Sequence, residues 1–329
     1  MNRIQKGKLG LGTAPLGNMF RNIPEEEAAD TVDAAWEHGI RYFDTAPFYG
    51  AGLSEIRLGR ALSNYDRDDY VLSTKVGRYM LDEEEEPAKG ELFEHGRNNK
   101  VVTDYSADAV LRSIEQSLER LNTDRLDVVY VHDVAQDFHG DEWLSQLEIA
   151  RTGAFRELSR LRDEGVIHSW GIGVNRVEPI EITLDLEETK PDLCLLAGRY
   201  TLLDHEHALQ RLMPKAIKQN VKIVAGGPYN SGVLAGGSHF EYQEASQETL
   251  EKVEKIKNIA DRHGISVKAA ALQFTLAHPA VTAAIPGASR PERIKEDQDA
   301  LNTEVPAAFW QEMRERKVIA PDAPLPFKK

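Results

Sequence analysis

Only one cysteine occurs in the chain, Cys194, and it stands in the apolar run Leu193-Cys194-Leu195-Leu196. An intramolecular disulfide is therefore excluded, and a lone thiol in such a setting reads as a small buried hydrophobe. Long apolar runs are also missing. Nowhere do about eighteen uninterrupted apolar residues occur, so no membrane-spanning helix is expected. The polar, basic residues 1–8 are followed by no apolar stretch of the signal-peptide kind. A cytoplasmic protein with no membrane association is the expectation. Basic clusters are scarce too. The formal net charge is −14, and no run of Lys and Arg is dense enough to track a phosphate backbone, which removes nucleic acid from the expected partners.

Two further absences narrow the chemistry. His132, His139 and His168 show no metal-ligand spacing, and His205 and His207 beside Asp204 read as a solvated loop, so no metal is expected. No Gly-x-Gly-x-x-Gly lies between a strand and a helix with an acid about 20 residues on, so the Rossmann fingerprint is missing.

What is present is a rhythm. Eight short β-type runs begin near Leu9, Arg41, Tyr70, Leu126, Ser169, Leu193, Val221 and Val281. They alternate with segments such as 25–38, 107–121, 152–164 and 246–263, whose apolar residues recur at three-to-four spacing beneath charged outer faces. Ser106 stands as a helix start, and Gly39, Gly165 and Gly264 as helix stops. Such alternation builds parallel sheets with crossover helices, and eight strands suggest closure into a (β/α)8 TIM barrel, a single domain over 1–329. Two stretches break the rhythm, 78–105 with its acid run Asp82 to Glu86 followed by Pro87 and Gly90, and 226–244. Both follow strands, where a barrel carries its active-site loops. A C-terminal tail covers about 303–329.

Polar residues stand at or just beyond the ends of three strands: Asp44, Tyr49, Lys75 and His132. Singly, each has an ordinary structural reading. Together they form a chemical unit. A phenol with a reference pKa of about 10 is a poor acid or base at neutral pH. A nearby ammonium favours phenolate, a carboxylate can hold that ammonium charged, and an imidazole can orient a substrate oxygen from the other side.

The stretch Phe43-Asp44-Thr45-Ala46-Pro47-Phe48-Tyr49-Gly50 with Gly52-Leu53-Ser54-Glu55 resembles the signature segment of the aldo-keto reductase superfamily. Ser73-Thr74-Lys75-Val76-Gly77-Arg78 and Val131-His132-Asp133 are similar to the family's Lys and His segments. The resemblance runs from about Leu9 to Leu301 and implies a barrel with Asp44, Tyr49, Lys75 and His132 as catalytic tetrad.

For a dinucleotide, the loop after the seventh strand offers Gly227, Pro228, Tyr229, Asn230, Ser231, Gly232 and Leu234, small enough in part for backbone N–H groups to approach a pyrophosphate. A plain flexible loop is the alternative. After the eighth strand, Gly287, Ala288 and Ser289 lead into a helix start, a natural anion site, with Arg293 as a fixed cation. The resemblance adds Glu296 and Asp297 at the nucleotide, Asn175 at the nicotinamide carboxamide, and Thr13 among the cofactor residues. Two departures stand out: Ala197 where relatives carry Gln, and Gly226 where relatives stack an aromatic. Gly287 also replaces a Lys common in relatives that prefer the 2′-phosphate, which favours NAD, with NADP still possible.

The same segments resemble L-fucose or D-threo-aldose dehydrogenases and pyridoxal 4-dehydrogenases. The implied reaction is NAD-linked oxidation of an aldose hemiacetal to a lactone, with a small carbonyl or sugar substrate and Tyr49 as base. Formation of 4-pyridoxolactone, NADPH-dependent reduction of aldehydes and ketones, and a non-catalytic nucleotide-binding barrel are the alternatives. Met19, Phe20, Phe48 and Arg78 are the substrate-side candidates, with Asn18 and Gln136 as further rim donors. The oligomeric state is left open.

Overall fold

The computed structural model describes residues 8–85 and 91–326. Residues 1–7, the end of the tail at 327–329, and Glu86, Pro87 and Gly90 of the acid-rich stretch lie outside the described residues. Eight parallel strands form the sheet: β1 (Leu11–Gly12), β2 (Tyr42–Asp44), β3 (Val71–Val76), β4 (Leu126–His132), β5 (Ile167–Val174), β6 (Leu193–Ala197), β7 (Lys222–Gly226) and β8 (Val281–Ile285). They neighbour one another in chain order. Bridges Leu9↔Ala284 and Gly12↔Gly287 join the first strand to the last, so the sheet closes on itself.

Burial on both faces explains why these strands read as short apolar runs without polar alternation. Leu193 and Leu195 point into the barrel with Tyr42, Val71, Val128, Tyr130, Val224, Ala283 and Ile285. Cys194 and Leu196, one residue out of step, face the helical layer. The thiol is fully buried, and burial pushes it up to about 12.

Crossover helices follow the expected segments. Glu25–Glu37, Ala107–Leu121, Ala154–Asp163 and Gln247–Arg262 bury their apolar stripes against the barrel. Ser106 and Ser246 cap two of them by accepting from backbone N–H groups three residues on. Gly39, Gly165 and Gly264 all sit at positive φ after a helix, which a residue without Cβ adopts at no steric cost.

Two differences from the sequence reading concern the mouth. The stretch 78–105, expected as a solvated loop, contains an antiparallel hairpin of Arg78–Glu84 with Asn99–Thr103. The stretch 226–244 ends in a second, smaller hairpin, His239–Phe240 with Gln243–Glu244. His205 also differs. It is buried, with Nδ1 2.9 Å from the Thr201 carbonyl, while Nε2 accepts from the Ala320 backbone at 3.0 Å and so ties the tail to the barrel.

Candidate active site

Asp44 ends β2, Lys75 lies near the end of β3, and His132 ends β4. Because adjacent parallel strands end at one level, three side chains from three strands converge on the mouth. Tyr49 comes from the turn after β2, whose Tyr49 N–H donates to the Ala46 carbonyl at 3.1 Å. Gly50 carries φ +64 and packs so closely on Gly17 that a Cβ would stand 2.3 Å from the Gly17 carbonyl oxygen. Only glycine permits that approach, and it fixes where Tyr49 enters.

The Lys75 ammonium is the centre of the group. It donates to Asp44 Oδ2 at 2.7 Å, to the Thr45 carbonyl at 2.8 Å and to the Tyr49 hydroxyl at 3.2 Å. Asp44 and Lys75 are buried, so the ion pair is little screened and each partner needs the other. The His132 ring meets the Tyr49 ring edge-on with centroids 5.8 Å apart. Thr13, expected at the cofactor, instead donates to the Asp44 carbonyl at 2.9 Å and accepts from Ser54 at 2.8 Å. It is fully buried and braces β2.

Electrostatics depart from the simple expectation that the ammonium makes Tyr49 a ready phenolate. Burial, then the carboxylates of Asp44 and Asp133, hold the Tyr49 phenol well above its ordinary value, with Arg78 opposing. Burial and the cations of Arg78 and Lys75 push His132 well below the usual imidazole value. At neutral pH the site therefore holds a phenol and a neutral imidazole.

Asp44 and Tyr49 open onto a cavity of about 1050 Å³. Of the sequence-derived cofactor residues, Asn175, each residue from Gly227 to Gly232, Gly287, Ser289, Arg293 and Asp297 line it. Leu234 and Ala288 are buried in the hydrophobic core instead. Glu296 is held by Arg293 at 3.2 Å and by Lys268 at 2.9 Å. Met19 and Phe20 line the cavity, whereas Phe48 and Arg78 are not among its lining residues. Arg78 is buried and ion-paired with Asp133 at 2.8 Å, so its guanidinium is already engaged.

Several lining residues were not evident in the sequence. Asp137 and Phe138 face the cavity where Gln136 was expected, and Tyr242 enters from the second hairpin. Lys268 lines it from the helix Val267–Ala277 and pairs with Asp297 at 2.7 Å. A lysine in an apolar helix reads as a surface cation, so nothing in the spacing marked it.

The cavity suits a dinucleotide. Gly226, Gly227 and Gly232 bring backbone without side chains to its lining, Arg293 and Lys268 add cations, and the buried Asn230 Oδ1 has no hydrogen-bond partner among the described residues. Among the described residues no group of three or more His, Cys, Asp or Glu could hold a metal, and no helix is long and apolar enough to cross a membrane.

A closed eight-stranded barrel with these four side chains beside a glycine-walled cavity places the chain among the α/β-barrel oxidoreductases. Residues 8–317 match the Aldo/keto reductase family, and the chain belongs to that family of NAD(P)-dependent enzymes. It is 37% identical to a pyridoxal 4-dehydrogenase of Microbacterium luteolum, over 95% of this chain and 94% of that protein. It is 35% identical to a D-threo-aldose 1-dehydrogenase of a Pseudomonas species, covering 94% of each. The fold superposes on an aldo-keto reductase from Bacillus halodurans in its holo form with a TM-score of 0.69, at 25% identity, over 94% of this chain and 91% of the other.

Proposed function

We propose that this enzyme oxidises the anomeric carbon of a cyclic polyhydroxy aldehyde, an aldose hemiacetal, to the lactone with NAD as the hydride acceptor. The observation that carries the reading is the Lys75 ammonium, which bridges Asp44 and the Tyr49 hydroxyl, two residues that line the cavity. When bound, the nicotinamide supplies the acceptor for a hydride. The chain's own residues handle the proton and the geometry.

Tyr49 and His132 flank the position of the hemiacetal hydroxyl, so its oxygen is held between a phenol and an imidazole. The hydroxyl proton passes to the deprotonated Tyr49 oxygen as the carbon gives up its hydride, so the substrate loses one hydride and one proton, two electrons and two protons in all. Lys75, ion-paired with Asp44 at 2.7 Å, lowers the cost of negative charge on the Tyr49 oxygen during transfer. Asn175, Arg293, Asp297 and the Gly227 to Gly232 backbone would hold the dinucleotide. Asp137, which accepts from Asn175 Nδ2 at 3.2 Å, stands in the cavity as an acceptor for substrate hydroxyls.

Similarity to the D-threo-aldose and pyridoxal enzymes supports this substrate class. Gly287 in place of a cation supports NAD over NADP. The deciding experiment is steady-state turnover of L-fucose, D-arabinose, L-galactose and pyridoxal with NAD and with NADP, alongside aldehyde reduction with NADH and NADPH. Sugar oxidation with NAD is the expected best activity. Efficient NADPH-linked aldehyde reduction without sugar turnover would replace this reading with that of a broad carbonyl reductase.

A further inference from the structure

Beside the four residues above lies a polar cluster that the proton chemistry does not use. Arg78 Nη1 donates to Asp133 Oδ2 at 2.8 Å, and the same oxygen stands 3.3 Å from His132 Nε2. All three residues are more than nine-tenths buried, with 5%, 3% and 7% of their surfaces exposed. The guanidinium carbon lies 4.3 Å from the Phe48 ring centroid and 5.1 Å from that of Phe138, so two aromatic faces hold it. Asp133 sits at φ +53, a left-handed conformation that costs most residues energy, immediately after the strand that carries His132. Its N–H is tied to the Gly173 carbonyl at 2.9 Å, and the Tyr105 hydroxyl donates to the His132 carbonyl at 2.8 Å. Backbone and side chain are fixed together.

Such a costly arrangement is informative about the imidazole. A neutral ring carries one N–H, and the other nitrogen accepts. His132 Nδ1 is buried with no hydrogen-bond partner, whereas Nε2 faces a carboxylate, which attracts the proton to that nitrogen. The groups facing Asp133 are Arg78, His132, Lys75 and Asp137; burial pushes its carboxyl up to about 6, and Arg78, paired with it at 2.8 Å, counters that rise, so the carboxylate is charged above neutral pH.

We propose that Asp133, clamped by Arg78, is a positioning residue that keeps the His132 proton on Nε2 and so presents an N–H donor to the oxygen held against Tyr49. The assignment of that oxygen rests on the reaction proposed above. The tautomer itself does not.

The test is two-bond ¹H–¹⁵N correlation on protein labelled at histidine nitrogen, with the His132 signals assigned by their loss in His132→Gln. The wild type should show the Nε2–H pattern from about pH 7 to 9, where the Asp133 carboxylate is charged. Asp133→Asn keeps the size and suits a left-handed backbone, yet it can donate as well as accept. It should lose the tautomer preference and drop kcat on the order of 10²-fold, with NAD affinity by fluorescence within about threefold. Arg78→Lys keeps the charge but loses the planar stacking, and should weaken the preference partly. An Nδ1–H tautomer in the wild type, or an unchanged Nε2–H tautomer in both variants, overturns the proposal. The expected tautomer pattern in a protein that oxidises no sugar would sink the reaction assignment and leave the clamp standing.

Discussion

Ser73 Oγ donates to Asp44 Oδ1 at 2.6 Å, while Lys75 takes the other oxygen, Oδ2. Behind Ser73 the Tyr42 hydroxyl lies at 3.1 Å and the Tyr130 hydroxyl 3.0 Å beyond it, so a buried line of hydroxyls runs from the barrel interior to the Asp44 carboxylate. Each contact leaves the carboxylate fewer ways to turn. Ser73→Ala removes the donor to Oδ1 and should lower stability by about 1–2 kcal/mol in urea unfolding. Turnover should fall roughly tenfold at unchanged NAD affinity. Unchanged turnover would show that Lys75 alone holds Asp44.

Tyr49→Phe keeps the ring and deletes the transferable proton. Turnover should fall on the order of 10²–10⁴-fold, the usual weight of general acid–base catalysis, while NAD affinity stays near that of the wild type. Parallel losses in both would indicate a displaced loop and remove Tyr49 from the chemistry.

Burial and the neighbouring carboxylates hold Tyr49 protonated well past neutrality. Reduction needs the protonated phenol, so its kcat/KM should persist through neutral pH and fall only as the pH climbs through the raised value. Oxidation needs the phenolate and should keep rising with pH from about 7 to 10. A flat oxidation profile over that range rejects Tyr49 as the base.

Glu55, in the signature segment, is fully buried and far from any role in proton transfer. It accepts from Thr74 Oγ1 and from Arg120 Nε, each at 2.6 Å, and so bolts the helix Leu53–Leu62 to β3 and to the helix Ala107–Leu121. Glu55→Ala leaves the part-buried Arg120 guanidinium and the fully buried Thr74 hydroxyl unpaired and should cost about 3 kcal/mol in denaturant unfolding. A loss below about 1 kcal/mol would mean that water enters and solvates Arg120.

Tyr229 donates to Asp297 Oδ1 at 2.8 Å and thereby pins the 226–244 segment to the helix Pro291–Asn302. Tyr229→Phe frees that segment beside the cavity. NAD dissociation, followed by stopped-flow fluorescence, should speed up roughly tenfold with the folded protein otherwise unchanged. An identical off-rate would show that the segment is held elsewhere.

The barrel was legible because its strands are buried on both sides. Runs such as Val128–Val131 stand out as apolar stretches that lead directly into an ionisable residue, here His132. The same logic exposed Asp44 and Lys75, since a charge at the end of an apolar strand has few bland explanations. The hairpin within 78–105 stayed hidden behind acids, Pro87 and glycines, which outweigh strand propensity in a local reading. Arg78 was misplaced for a different reason. Its partner Asp133 lies just beyond the end of β4, 55 residues on, and no spacing rule reports that the guanidinium turns inward. Thr13, Leu234 and Ala288 match sites by order in the chain, yet each side chain packs into the protein rather than the cavity.

The seam between Leu9 and Ala284 is a single bridge supplemented by one between Gly12 and Gly287, and it brings together the first and last strands of the barrel. During synthesis, seven strands emerge before the last partner exists, leaving two unpaired edges exposed to other nascent chains. Final closure must therefore wait for β8 to leave the ribosome. Truncations at either terminus that shorten the seam should yield protein that aggregates on expression rather than protein that merely binds cofactor weakly.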